Sequence, residues 1–381
     1  MALEKNQRKI SFAIVFVFLA LFFTNLINGI PVINNFQFFT IFPKVLLFVV
    51  YVSTVRSILK ELTKKMVLFT LITGIIMCLN LFFSANFEFF INTILSFLSM
   101  CFPLVLFSLA LRRWEYLFSY FVKASYIVAI ISAITYVTGV LSFDDTQYSM
   151  GFSYSSVVFF ILLLDNFLFS RNVFSLIFSL PLIFIIVVYG SRGALACILM
   201  YLLIYMYRMF FHSKKKLQPS IFISILLLGV LGRKILLQLL LNITSKLGFY
   251  SRTLVTLDSG NFIESDGRRL IYSRVWEAFK QAPFRLRGIN ADYALTGIYS
   301  HNFVLELLYE FGLIIGLLIV IYIFIISIQT VCKKNFNRKL RVMFVFFSVW
   351  FPQLLLSNTI WVSPFFWLFF GLYLNKREQE D

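Results

Sequence analysis

YGSRGALACILMYLLIY, residues 189 to 205, places glycines on both sides of Ser191-Arg192 and then runs into apolar sequence. A helix needs about 20 predominantly apolar residues to cross a bilayer, so the stretch reads as a span with an arginine at its threshold. The rest of the chain has the same character. Of its 381 residues 60% are hydrophobic and only 13% charged. Apolar runs recur near 10–28, 36–55, 66–84, 89–111, 117–141, 152–169, 173–189, 190–211, 219–241, 302–329, 343–357 and 359–374. The expected fold class is all-α, a polytopic membrane protein of about 12 transmembrane helices, and a soluble two-domain protein is excluded. The last two runs are short, which points to tilted, interrupted or re-entrant helices.

The net charge of +17 is read as a topology signal, and nucleic acid is not an expected partner. Short cytoplasmic loops collect cations because the membrane potential and the insertion machinery oppose moving them outward, whereas long loops are exempt. Lys and Arg number 3 before the first run, 4 in 56–65, 3 in 112–123, 1 at Arg171, 4 in 208–216, 5 in 333–341 and 2 at the C-terminus. The connections 29–35, 85–88, 142–151 and 357–360 between them hold none. Both termini are therefore expected in the cytoplasm. Residues 1–241 would hold helices one to nine, 242–300 one large outer loop, and 301–381 helices ten to twelve. The first run is followed by no small-residue cleavage site and reads as a retained anchor. The four cysteines lie in or beside spans in no metal-binding spacing, and the 49 phenylalanines read as lipid-facing composition.

Arg192 then falls on the outer side, the sole cation in a short outer connection. A residue that breaks the topology rule beside the membrane is a functional candidate. Ser191 suits the N-cap of the following helix, and Gly190 and Gly193 let a bulky group approach the backbone. In the outer loop, SDGRRLIYSRVWEAFKQAP (265 to 283) reads as an amphipathic helix. Ser265 or Asp266 would cap it, Tyr272, Trp276 and Phe279 would form its apolar stripe, and Pro283 would stop it. Arg268 and Arg269 fall in its first turn, where free N–H groups and guanidinium forks suit phosphate.

YSHNFVLELLYEFGLIIGLL, 299 to 318, re-enters the membrane. With Ser300 as cap, His301 sits at the positive end of a helix, where a neutral, proton-accepting ring is favoured, the state that a general base needs. Asn302, Glu306 and Glu310 follow at i, i+4, i+8 on one face, with the carboxylates about one and two-and-a-half turns into the membrane. Unpaired carboxylates there are costly, so pairing with arginines or hydroxyls, and the positioning of cations, is expected of them. Lys44 beside Pro43 reads as a snorkelling lysine, and Asp144-Asp145 as solvated or capping acids rather than metal ligands.

Together, SRGA at an outer helix start, Gly267-Arg268 with Tyr272 four residues on, Pro283 and Gly288, and HNFVLELLYEFGLIIG resemble, in order over residues 187 to 318, the O-antigen polymerase and O-antigen ligase superfamily. The resemblance implies a metal-independent glycosyltransferase of the GT-C-like type with no cofactor, working at the periplasmic face of the bacterial inner membrane. It implies that Arg192 and Arg268 bind the diphosphate of an undecaprenyl-diphosphate-linked oligosaccharide donor and that His301 activates the acceptor hydroxyl. Arg269, Asn302, Glu306 and Glu310 are the further substrate-binding candidates. Membrane lipid and a chain-length regulator protein are the other implied partners. A polymerase is preferred to a ligase because only the shared motifs match. A flippase is disfavoured by the single outer loop, the His/Arg set and the absence of internal repeats. The chain departs from the family's tight P..G.G turn in PFRLRGIN, where Arg285 and Arg287 intrude, and this leaves the choice between Arg268 and Arg269 open.

Overall fold

A computed structural model describes residues 2–30, 36–83, 87–141, 149–189, 191–212, 233–246, 254–255, 258, 266–334 and 337–376. In chain order its main helices are α1 (Ala2–Asn28), α2 (Gln37–Lys60), α3 (Lys64–Phe83), α4 (Phe87–Ser96), α5 (Phe102–Ala110), α6 (Trp114–Val137), α7 (Met150–Ser170), α8 (Val173–Tyr189), α9 (Arg192–His212), α10 (Arg233–Lys246), α11 (Asp266–Gln281), α12 (Ala291–Thr296), α13 (Phe303–Cys332), α14 (Arg338–Leu356) and α15 (Pro364–Leu374). A π-turn, Phe97–Cys101, joins α4 to α5. Among the described residues nine helical stretches are long and apolar enough to cross a membrane, and α8 and α15 are apolar but shorter. The chain is that of a helical multi-pass membrane protein. Of the apolar run expected at 219–241, residues 219–232 lie outside the described residues, as do Gly190, Ser265 and the pair Asp144-Asp145.

The chain divides into two compact units. In the unit of residues 15–51 and 118–264, α7 and α8 pair closely. Arg171, in the left-handed conformation at φ 52°, turns the chain between them. Lipid is as apolar as a helix side chain, so association inside a membrane depends on close packing and interhelical hydrogen bonds, each worth about 0.6 kcal/mol. The buried Ser153, Ser155 and Ser156 supply small side chains on α7. Asn166 donates to Ser175 at 2.8 Å, and the Tyr201 hydroxyl donates to Asp165 at 2.7 Å. Lys44 lies on the exposed surface of α2, as snorkelling requires.

The other unit comprises residues 1–14, 52–117 and 265–381. Its core is aromatic: Trp350 is fully buried and packs against Phe303, Phe347, Phe351, Phe366 and Phe369, with ring centroids 5.2 to 6.2 Å apart. Such pairs contribute about 0.5–1.5 kcal/mol each beyond area burial, a term that survives in lipid. The reading of phenylalanine as lipid-facing composition thus covers residues such as Phe48 and Phe82 but not this core.

The expected continuous span at 302–329 is corrected: α13 is broken at Gly312, whose φ of 70° and ψ of 174° no helix contains. Its arms are 303–311 and 313–332. The second folds back along the first, since a β-carbon at Gly316 would run into the backbone of Leu307 and Leu308, and Phe303 packs on Phe324 with centroids 6.2 Å apart. Breaking a helix in apolar surroundings frees backbone groups that must find partners. The segment after α11 supplies them. Leu313 N donates to Pro283 O at 2.7 Å, and the amides of Arg287 and Gly288 donate to Glu310 O at 2.8 and 3.1 Å. The Arg287 guanidinium donates to Tyr309 O, Ala278 O and Ala282 O and stacks on the Tyr309 ring at 4.4 Å.

This close approach gives a direct check. Gly316→Ala should lower stability by about 1–3 kcal/mol, the usual cost of overpacking. Gly74→Ala, where a β-carbon meets nothing within 4 Å, should leave it unchanged or slightly raised. Thermal unfolding of both purified variants in detergent measures this, and equal melting temperatures would contradict the folded-back arm.

Candidate functional site

Helix α11 carries its apolar side on Ile271, Val275 and Phe279, which pack with Ala291 and Tyr309. The expected stripe of Tyr272, Trp276 and Phe279 is corrected, because Trp276 is 46% exposed and Tyr272 only partly buried. Rows i, i+4 and i+8 starting one residue earlier meet the first arm of α13. The C-terminal end of α11 is tied to Tyr309 through Arg287, while the Tyr272 hydroxyl donates to the backbone oxygen of His301 at 3.5 Å. Helix α11 and the first arm therefore run in the same direction, and both present their N-terminal ends near His301. Free N–H groups and aligned peptide dipoles make that end favourable for an anion.

Ser300 does not cap the helix. Asn302 does, its side-chain oxygen accepting from Val304 N at 3.0 Å and Leu305 N at 3.3 Å. Asn302 is extended at φ −149° and can turn its oxygen onto the first turn. Ser300 instead donates its amide to the buried Asp292 at 2.6 Å. Burial pushes the Asp292 carboxyl upward, against the amides and hydroxyl that bond it. Between these two anchors His301 takes the left-handed conformation at φ 56°, strain of about 1–3 kcal/mol that persists only where the surroundings over-determine it.

The His301 ring is half-buried and packs edge-on against Tyr299, with centroids 4.4 Å apart. It is hydrogen-bonded to the Ser357 backbone, and the Tyr299 hydroxyl donates to the same carbonyl at 3.1 Å. Nδ1 is buried with no hydrogen-bond partner. Burial lowers the His301 pKa from its ordinary value, the charge of Arg268 lowers it further, and the Ser357 bond opposes both. The imidazole is neutral at neutral pH.

Arg268, partly buried at the start of α11, is the arginine whose charge reaches Tyr272, Tyr299 and His301. Arg269 is exposed. Among the described residues Arg268 forms no ion pair with a carboxylate. Arg192 belongs to the other unit, at the first position of α9. Its expected cap is present, with Ser191 Oγ accepting from Ala194 N at 3.3 Å.

The expectation that Glu306 and Glu310 position cations is corrected: among the described residues neither forms an ion pair. Glu306 accepts from the Thr359 hydroxyl and from Ile360 N at 3.4 Å. Glu310 accepts from Asn290 N at 2.5 Å and from Trp361 Nε1 at 2.9 Å. The first arm runs from His301 toward the break, where the chain reverses. Phe324, level with Phe303, lies about 18 Å along the second arm from Gly312 at 1.5 Å per residue. Both carboxylates thus hold the 357–363 connection, whose Ser357 carbonyl orients His301. Sequence reasoning missed this connection as part of the site. Its one signal was the shortness of the last two apolar runs, with SNTIWVSP between them.

No three His, Cys, Asp or Glu side chains among the described residues are grouped so as to hold a metal ion. What the geometry offers is a neutral imidazole within reach of the Arg268 charge, with α11 running parallel to the first arm that starts after it. Compared with protein-family models, with curated proteins and with solved structures, the chain has no match.

Proposed function

We propose that the chain is a polysaccharide polymerase of the bacterial inner membrane, with 12 spans, both termini in the cytoplasm and residues 242–300 outside. It transfers a growing glycan from undecaprenyl diphosphate to the hydroxyl of a lipid-linked repeat unit at the periplasmic face. The observation that carries the reading is that α11, with Arg268 in its first turn, packs parallel to the first arm of α13 and reaches His301, whose buried Nδ1 has no hydrogen-bond partner. The motif resemblance supplies the substrate class.

In the proposed reaction the acceptor hydroxyl gives its proton to the His301 imidazole, and its oxygen bonds to the anomeric carbon as the bond from that carbon to the diphosphate oxygen breaks. Negative charge accumulates on the leaving diphosphate. Fixed guanidinium and helix-terminal N–H groups stabilise that charge more in the transition state than before it. Arg268 fills this role here, and Arg192 takes the position of the family's other arginine. Asn302, its side-chain oxygen spent on the cap, and Glu306 and Glu310, spent on the 357–363 connection, act by positioning rather than by touching the substrate.

Topology is tested by reporter fusions. Fusions after Lys216 and Lys339 should report cytoplasm and one at Gly260 the periplasm, and a cytoplasmic signal at Gly260 would sink the reading. Deletion of the gene tests the activity. Surface polysaccharide should collapse from a ladder to lipid A core bearing a single repeat unit. Bare core with long chains stranded on undecaprenyl diphosphate would make the enzyme a ligase instead.

His301→Ala, Arg268→Ala and Arg192→Ala should each abolish polymer with the protein still in the membrane, and Lys at either arginine should rescue only partly because it lacks the guanidinium fork. Normal chain length in any of these removes that residue from the site. The histidine can be watched directly, since the chain has only two. In a His212→Asn background, nitrogen NMR of labelled histidine should give a neutral ring at neutral pH. It should titrate below the ordinary imidazole value of about 6.5, and Arg268→Gln should move that titration upward. Activity resting on the neutral ring persists above that pKa and is lost as pH falls through it.

A further inference from the structure

At the end of the unit opposite to Gly312, the second arm of α13, the start of α14 and the end of α15 enclose a cavity of about 440 Å³. It is assembled from two unlike walls. Leu340, Met343 and Leu372 make one side apolar, whereas Lys333, Lys339 and Lys376 bring three ammonium groups to it, and among the described residues no carboxylate is in its lining. The volume falls within the usual range for small-molecule sites, about 300–1,000 Å³.

The cationic wall is partly built in. The Lys339 ammonium donates to Asn375 O and lies over the Trp114 ring at 4.9 Å, so its position is fixed before anything binds. Asn375 is held in turn by donation to Ser108 O and Leu111 O at 2.7 and 2.8 Å. Across the cavity the Tyr373 hydroxyl donates to Gln329 at 2.6 Å, which ties α15 to α13. Lys333 and Lys376 are exposed at the rim.

We infer that this cavity binds the phosphodiester headgroup of an anionic phospholipid. The lysines take the phosphate and the apolar wall takes the first methylenes of the acyl chains. A basic pocket at the ends of membrane helices fits such an amphiphile better than a soluble anion, which has no use for Leu340, Met343 and Leu372. Lysine suits a headgroup that arrives in several orientations, because an ammonium is a point charge with rotatable donors. None of its lining residues belongs to the His301 site, and the inference is independent of the proposed transfer reaction.

Purified full-length protein in neutral detergent should be titrated with short-chain phosphatidylglycerol, with phosphatidylcholine and with glycerol 3-phosphate, reading lipid adducts by native mass spectrometry and the melting temperature. Phosphatidylglycerol should bind and stabilise at least tenfold more effectively than phosphatidylcholine, and glycerol 3-phosphate should do neither. The double variant Lys333→Gln/Lys376→Gln, which spares the fixed Lys339, should lose at least fivefold in phosphatidylglycerol affinity. Lys333→Arg/Lys376→Arg should retain it, which separates lost binding from lost folding. The double variant Lys60→Gln/Lys64→Gln removes the same charge elsewhere, at exposed positions on α2 and α3. An equal loss there would overturn the site in favour of unspecific attraction, as would undiminished binding in Lys333→Gln/Lys376→Gln. Binding of glycerol 3-phosphate as tight as that of the lipid would overturn the amphiphile and leave a free phosphate site.

Discussion

The break in α13 at Gly312 can exist only because its backbone groups are satisfied from outside the helix. In water, solvent would serve. In an apolar layer each unmet N–H or C=O costs several kcal/mol, so the segment 283–288 must lie against the break whenever the chain is folded. Arg287 is the strongest part of that clamp. One guanidinium serves carbonyls at the C-terminal ends of two helices, α11 and the first arm, where the peptide dipoles leave partial negative charge. A lysine could not reach three carbonyls in one plane. The residue that interrupts the family-like PFRLRGIN turn is thus what fixes α11 to α13.

Fixing those two C-terminal ends decides where the N-terminal ends go. Two helices tied at one end and packed in parallel through Ile271, Val275 and Tyr309 deliver Arg268 and His301 to the same place. The electrostatic result is cooperative. Each helix N-terminus contributes about 0.3–1 kcal/mol to an anion, and the Arg268 charge that also favours the anion is one of the causes that keep His301 uncharged. An anion bound near an imidazole would raise the pKa of the ring. Burial of the ring and the neighbouring guanidinium oppose that rise.

The parts legible in the sequence were those set by composition and local spacing. Ten of the twelve expected runs correspond to helices that contain or nearly match them, because apolar length alone dictates a helix in lipid. The Ser191 cap was readable from the residue type at a helix start. Gly312 was not, since a glycine within an apolar run is common in membrane helices and only its φ distinguishes a break from a straight helix. For Asn302 and Ser300, both of capping type, the choice depended on Asp292, which takes the Ser300 amide from eight residues away, outside any local pattern. The role of Ser357 was invisible for the same reason: it acts through a carbonyl, which every residue possesses.

The two glutamates show what such hidden contacts do for the candidate site. A carboxylate beside Arg268 would neutralise it and occupy the guanidinium fork, leaving a diphosphate to compete for donors already engaged. Here the acids of the first arm are turned to the 357–363 connection, where Thr359, Ile360 and Trp361 satisfy them together with Asn290. Their charge requirement is met by neutral donors, so no arginine is consumed in meeting it. The same contacts hold the connection that carries Ser357, whose backbone bonds the His301 ring. Placing Glu306 and Glu310 on the helix that follows His301 therefore supports the histidine through the loop they hold, while neither carboxylate engages the guanidinium at the start of α11.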